Sequence, residues 1–176
     1  LGGKIRWGEG TDREQDIKRE YELFGITGTH VSHSLSPAMH NVALKTLQRK
    51  CVYLPLAARD VQDFVEFARG TQLTGASVTV PFKEDIVGRC SKLDEISESI
   101  GAANTLITLG SGGYRGRNTD VPGFVGDLTT PYKQPLFGRR ALGPGAGGPA
   151  PAGGYGRRRA GVAVRVWVRS EGRARV

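Results

Sequence analysis

Residues Gly75 to Asp85 read GASVTVPFKED, and the rest of the chain is understood outward from them. Val78 and Val80 alternate with Ser77 and Thr79, so the valines are expected on one face of a strand and the hydroxyls on the other. Pro81 has no N–H to give a central ladder, so the strand should end there. Phe82 then anchors a turn with Lys83 at its rim. Two hydroxyls and an ammonium thus gather at one end of a strand, where open α/β sheets collect ligands. An ordinary strand end with a solvated lysine has the same local pattern. The stretch therefore acquires chemistry only from its surroundings.

On its N-terminal side, LFGITG (Leu23 to Gly28) is a short apolar run that reads as a first strand. In THVSHSLSPAMHN, Ser36 is expected as the N-cap of a helix with Pro37 at its first position. Met39, Val42, Ala43 and Leu47 follow at helical spacing. Ser34 and Ser36 then lie in the loop at a helix N-terminus, where free N–H groups and the dipole favour a carboxylate or phosphate. Ser36 capping its own helix is the plainer role, and the two are compatible. His33 and His40 have no acidic or cysteine partner at metal-ligand spacing, so no metal site is assigned. CVYLPLA, from Cys51, reads as a second strand. Asp60 can cap the next helix, whose apolar stripe is Val61, Phe64, Val65 and Ala68 and which Gly70 ends. Strand–helix–strand alternation predicts an α/β domain with a largely parallel sheet.

On the C-terminal side, Leu93, Ile96 and Ile100 fall at helical spacing, with Gly101 placed to stop the helix. AANTLIT resumes a strand with Asn104 at its start, GSGG is a turn, and YRGRNTD leads to Asp120. VPGFVGDL reads as helical with Pro122 near its beginning. Taken alone, Asp120 is an N-cap and Asn104 a turn residue.

Composition sets outer bounds. The 176 residues suit one domain, or one domain and part of another. No apolar run approaches a membrane span, and LGGKIRWGEG lacks the apolar core of a secretory signal. The chain starts with Leu1 rather than Met, as a piece of something longer would. Cys51 and Cys90 stand apart, as expected of buried thiols in a reducing cytoplasm. The net charge of +8 is uneven: from Pro131 onward ten Lys or Arg accompany one acid, Glu171. Such a basic end suits nucleic acid, a phosphate-bearing cofactor or a poorly constrained tail. Residues 1–22 read as a linker or a short solvated helix.

Taken together, HSLSPAMHN, SVTVPFKE, IGAANTL and GRNTDVPGF form one ordered set. In order and spacing they resemble the shikimate dehydrogenase family, from about Leu23 to about Leu128. The resemblance implies a three-layer α/β substrate-binding domain over 23–128, followed over 129–176 by an incomplete Rossmann-type NADP-binding domain. It also implies NADPH-dependent, reversible reduction of 3-dehydroshikimate to shikimate. By position, Ser34 and Ser36 would bind the substrate carboxylate. Thr79, Asn104 and Asp120 would hydrogen-bond the ring hydroxyls. Lys83 and Asp120 would form the catalytic pair. Ser77 stands where many members have Asn, and its hydroxyl can still donate and accept. Hydride reaching a carbonyl carbon leaves negative charge on oxygen, which an ammonium can neutralise while delivering a proton.

In the last quarter, Gly145, Ala146, Gly147 and Gly148 begin a G-x-G-x-x-A match that would let backbone approach a pyrophosphate. VAVRVWV reads as a second strand of that half. Arg169, Ser170 and Arg173 follow it and suit the 2′-phosphate of NADP. The family's usual Asn before that Arg is Val168 here. Gly143 and Pro144 sit at the end of what should be a buried strand, and several Gly and Pro fall in the helix after it. The chain stops before the further strands such a domain needs, so this half is expected to be a fragment; truncation, sequence error and decay each account for that. Other readings are a quinate/shikimate dehydrogenase, one arm of a fused shikimate-pathway protein, or a shikimate-binding remnant without catalysis. Nucleic-acid binding ranks last, because Tyr155 and Trp167 are the only aromatics in the Arg-rich stretch from Gly138 onward. The expected protein is cytoplasmic, a monomer or homodimer, and away from membranes.

Overall fold

The computed structural model describes residues 21–132, 137–138, 140–144, 154–156, 161 and 163–167. Six strands form the main sheet: β1 (Glu22–Gly28), β2 (Cys51–Ala57), β3 (Gly75–Val78), β4 (Lys92–Leu93), β5 (Thr105–Thr108) and β6 (Tyr114–Arg117). Their order is β2-β1-β3-β5-β6-β4. The sheet is mixed. β1 runs parallel to both β2 and β3, and β4 parallel to β6, whereas β5 is antiparallel to β3 and β6. The antiparallel part follows from the GSGG turn, where Gly112 and Gly113 adopt φ of 80° and 82° and fold β5 onto β6 as a hairpin.

Helices cover the two faces unequally. Helix α1 (Ser36–Thr46) joins β1 to β2, and α2 (Val61–Gly70) joins β2 to β3. Asp60 caps α2 as its sequence suggests, accepting the Asp63 N–H at 2.8 Å. The stripe of Val61, Phe64, Val65 and Ala68 is buried in full. It packs with Leu73, Ala76, Val78, Phe82, Ile86, Ala103, Leu106 and Tyr114 in the larger core cluster. Across the sheet, Ile26, Val31 and Tyr53 form a smaller cluster with Phe24 and Leu44 against it. Helix α1 buries no residue completely, and Met39, Val42 and Leu47 are exposed.

Several expectations are corrected. The alternation in GASVTVPF stops early: β3 ends at Val78, the chain turns, and Val80 is 59% exposed while Val78 is 2%. Leu93 does not share a helix with Ile96 and Ile100. It pairs with Gly116 in β4, and helix α3 (Glu95–Ile100) begins only after Asp94, whose side chain accepts the Ser97 N–H. Gly101 ends that helix in the left-handed conformation at φ 66°, as expected of a C-terminal glycine. The two thiols are half-buried rather than core: Cys51 Sγ donates to Glu22 Oε2 and Cys90 Sγ to the Ile86 carbonyl.

Strand β2 is a sheet edge, and two residues close it. The Asn41 amide bonds both backbone groups of Tyr53, donating to its carbonyl at 2.8 Å and accepting its N–H at 2.9 Å. Alternate residues of a strand direct their backbone groups to the same side, so the next outward N–H would belong to residue 55, which is a proline. A second chain finds few groups there to pair with.

Helix α4 runs Asp120–Tyr132. Beyond it, β7 (Arg140–Pro144) and β8 (Ala163–Trp167) pair in parallel, with Pro144 opposite Trp167. The second strand expected in VAVRVWV is present, and the strand before the glycine loop forms through Gly143 and Pro144 despite their low strand propensity. Residues 154–156 are helical, and Gly156 lies against Val121 and Val125 of α4. No helix among the described residues is long and apolar enough to cross a membrane.

Candidate active site

Lys83 and Asp120, 37 residues apart in sequence, meet at the end of β3. Lys83 Nζ donates to Asp120 Oδ2 at 2.7 Å, with side chains 17% and 36% exposed. Phe82 is buried beside the lysine, and the Lys83 carbonyl accepts the Ala103 N–H at 2.8 Å. The turn is thereby anchored on one side by apolar packing and on the other by the segment leading into β5.

The carboxylate is held as firmly. Asn104 Nδ2 donates to Asp120 Oδ1 at 2.8 Å, so each oxygen has a partner. Asn104 is itself fixed, because its Oδ1 accepts the Thr119 N–H and the Thr105 hydroxyl. Asp120 is not the helix cap that its position suggests. Asn118 takes that part: its Oδ1 accepts the N–H groups of Asp120 and Val121 at 3.0 and 3.3 Å, and its Nδ2 donates to the Ala102 carbonyl. Capping by Asn118 leaves the Asp120 carboxylate free for Lys83. An ammonium has three donors. One is committed to Asp120, and the others remain available to an oxygen beside the pair.

Ser77 and Thr79 lie on the strand and turn just before Lys83. Ser77 pairs in register with Thr105, next to Asn104, and the Val78 N–H donates to the Asn104 carbonyl at 2.7 Å. The Thr79 N–H donates to the Thr27 carbonyl, and its methyl abuts Gly28 so closely that a Cβ on Gly28 would fall 2.7 Å from it. Gly28 thus lets the end of β1, and the serine loop after it, approach the end of β3.

The serine loop differs from expectation in one detail. Leu35, not Ser36, occupies the N-cap position of α1, and the Ser34 hydroxyl accepts the Ser36 N–H at 3.2 Å. Both serines remain at the helix N-terminus. A run of contacts links them to β3: His40 Nδ1–H donates to the Ser36 carbonyl at 2.8 Å, the His40 ring stacks on Tyr53 at 4.2 Å, and the Tyr53 hydroxyl donates to Ser77 Oγ at 2.8 Å. Burial pushes the Tyr53 phenol above its ordinary pKa, opposed by its contact with Ser77.

Sequence reasoning missed Asn41, Tyr53, Asn118 and Thr119. Asn118 carried a usable signal, an Asn two residues before an acidic helix start. Tyr53 carried none, because its contact crosses an intervening strand. An apolar cleft of about 260 Å³ lies elsewhere, between β2 and α2, and is lined by Pro55, Leu56, Phe64 and Phe67 among others. Gly145, Ala146, Gly147, Gly148, Arg169, Ser170 and Arg173 lie outside the described residues.

The chain is similar to known proteins in sequence and in fold. Residues 26–106 match the family model described as the shikimate dehydrogenase substrate binding domain. The shikimate dehydrogenase (NADP(+)) of Dehalococcoides mccartyi is 41% identical over 132 residues, which cover 74% of this chain and 46% of that protein. The crystal structure of shikimate dehydrogenase from Aquifex aeolicus matches with a TM-score of 0.83 at 30% identity, over 90% of this chain and 59% of the other. Shikimate 5-dehydrogenase from Thermus thermophilus, solved in complex with NADP(H) and shikimate, matches with a TM-score of 0.75 at 33% identity, over 87% and 58%. The chain spans about half the length of the curated relatives it matches. Residues 26–106 of this chain are therefore similar to the shikimate dehydrogenase substrate binding domain.

Proposed function

We propose that the chain carries the substrate-binding and proton-transfer half of an NADP-dependent shikimate dehydrogenase, which interconverts 3-dehydroshikimate and shikimate in chorismate and aromatic amino-acid biosynthesis. The observation that supports this most is the 2.7 Å contact of Lys83 with Asp120, whose other oxygen is held by Asn104. Ser34 and Ser36, at the head of α1, receive the ring carboxylate. Ser77, Thr79 and Asn104 bind ring hydroxyls together with Asp120. Lys83 gives its proton to the carbonyl oxygen as that carbon is reduced, and takes it back in the reverse direction. Asp120 holds the ammonium in place through their 2.7 Å contact.

NADPH, when bound, supplies the hydride. The described residues fit such a cofactor in one respect. β7 and β8 are parallel and paired to their ends at Pro144 and Trp167, and ligands of parallel sheets bind beyond the carboxyl ends of the strands. Gly145, Ala146, Gly147 and Gly148 follow one of those ends directly and would approach the pyrophosphate. Arg169, Ser170 and Arg173 follow the other and would hold the 2′-phosphate. The division into 1–22, 23–128 and 129–176 belongs to the same reading. So does a cytoplasmic location as a monomer or homodimer, to which two free, half-buried thiols are suited.

The test pairs a calorimetric titration of shikimate with an NADP-linked assay on shikimate and quinate. Saturable shikimate binding to the 176-residue chain is the expected result, with shikimate-dependent NADPH formation in a form whose cofactor-binding half is complete. Faster turnover of quinate would move the assignment to a quinate/shikimate dehydrogenase. Binding without turnover would favour a non-catalytic remnant, and no binding of either acid would overturn the proposal.

A further inference from the structure

Tyr53 is a buried side chain next to the proposed site, and nothing in the reaction as described uses it. Its ring is 4% exposed and lies flat on His40, with an interplanar angle of 8°. Its backbone is bonded on both sides by the Asn41 amide. Tyr53 opposes Phe24 of β1, while Ser77 opposes Ile26 of the same strand, so the phenol reaches across β1 to β3. Its hydroxyl ends 2.8 Å from Ser77 Oγ, on a half-buried serine two residues before Thr79.

A free serine hydroxyl rotates among staggered positions and offers a donor or an acceptor in each. Accepting the Tyr53 proton occupies one of its two lone pairs. The serine proton and the other lone pair are then directed away from Tyr53. The position of the phenol is fixed in turn by the histidine stack and the asparagine bonds, so the orientation of the serine is imposed before any ligand arrives.

We infer that Tyr53 is a positioning residue that presets the Ser77 hydroxyl for a ring hydroxyl of the substrate, and that His40 and Asn41 hold the phenol in register for this purpose. The inference rests on the shikimate reading of the site and adds a specificity device to it. Tyr53 itself does not touch the substrate. Its influence passes through Ser77 and is confined to ligands bearing a hydroxyl at that position.

The experiment measures affinity by calorimetry for shikimate and for cyclohex-1-ene-1-carboxylate, which keeps the carboxylate and lacks the hydroxyls. The proteins are the 176-residue chain and its Tyr53→Phe, Ser77→Ala and doubly substituted forms. Tyr53→Phe and Ser77→Ala should each weaken shikimate binding about three- to tenfold. The double variant should match Ser77→Ala alone, because the two act as one unit. Affinity for the hydroxyl-free acid should not change in any form. A purely structural tyrosine would weaken both acids alike, or its effect would multiply with that of Ser77→Ala, and either result overturns the inference. Unchanged shikimate affinity in Tyr53→Phe, with a loss in Ser77→Ala, overturns it while leaving the site reading intact. Failure of the unsubstituted chain to prefer shikimate over the hydroxyl-free acid overturns the site reading itself. Should Tyr53→Phe not fold, carbon-13 labelling of tyrosine decides: shikimate should shift the Tyr53 Cζ resonance in the unsubstituted chain and not in Ser77→Ala. The absence of that shift in the unsubstituted chain contradicts the inference.

Discussion

The two faces of the six-stranded sheet are built for different ends. On the α2 face, apolar side chains at helical spacing meet the valines and leucines of the sheet in one continuous core. On the α1 face, the helix contributes His40, Asn41 and Leu44 rather than an apolar stripe, and its contacts are a ring stack, an amide pair and a short hydroxyl chain. The first arrangement supplies stability without asking for a unique side-chain orientation. The second fixes orientation and contributes little burial. The hydroxyls at the mouth of the proposed site, Ser34, Ser36 and Ser77, lie on the second face or at its edge, where orientation matters to a ligand.

The contrast can be broken by substitution. Phe64, 1% exposed in the larger core, should cost about 3–5 kcal/mol of stability when changed to alanine, measured by urea unfolding. Lys83→Ala should do the converse. In an active form of the protein it should lower turnover about 10²–10⁴-fold, with much smaller changes in substrate binding and urea midpoint, read by steady-state kinetics and by unfolding. Asn41→Ala leaves both outward backbone groups of Tyr53 unpaired at a sheet edge, and should cost about 1–3 kcal/mol while promoting association, seen by light scattering. Met39→Ala, on the exposed side of α1, should stay within about 0.5 kcal/mol.

A pH scan sharpens the same comparison. Burial raises the Tyr53 phenol above the ordinary tyrosine value of 10.0. In the unfolded chain the phenol loses its proton first as pH rises through that value. The stability it contributes is therefore complete below the unfolded pKa and is lost as pH climbs through the folded one. Melting temperature should fall more steeply above that point in the unsubstituted chain than in Tyr53→Phe. Equal slopes would remove Tyr53 from the alkaline response.

Legibility in the sequence followed the same division. Helix α2 was readable in full, because Asp60 and the Val61, Phe64, Val65, Ala68 stripe are local signals whose spacing alone determines their burial. Where two local rules compete, the local pattern misleads. Leu93 fits a helical period with Ile96, yet Asp94 caps the helix behind it and pairing with β6 claims Leu93 for a strand. Val80 continues an alternation that the turn had already ended. At the head of α1 a one-residue shift moved the cap from Ser36 to Leu35 and left the serine loop where it was expected. Lys83, Asn104 and Asp120 were found through the resemblance of their motifs, since no periodicity relates residues so far apart. Tyr53 and Asn41 stayed hidden because their roles depend on which strands are neighbours.

The central claim is that the assembly around Lys83 and Asp120 receives shikimate. Titration of shikimate into the 176-residue chain, repeated with Asp120→Ala, addresses it most directly. The account predicts saturable one-to-one binding that Asp120→Ala weakens at least tenfold, as truncating one partner of a charged hydrogen-bonded set does. Binding that is indifferent to Asp120, or no binding heat at millimolar shikimate, would contradict it.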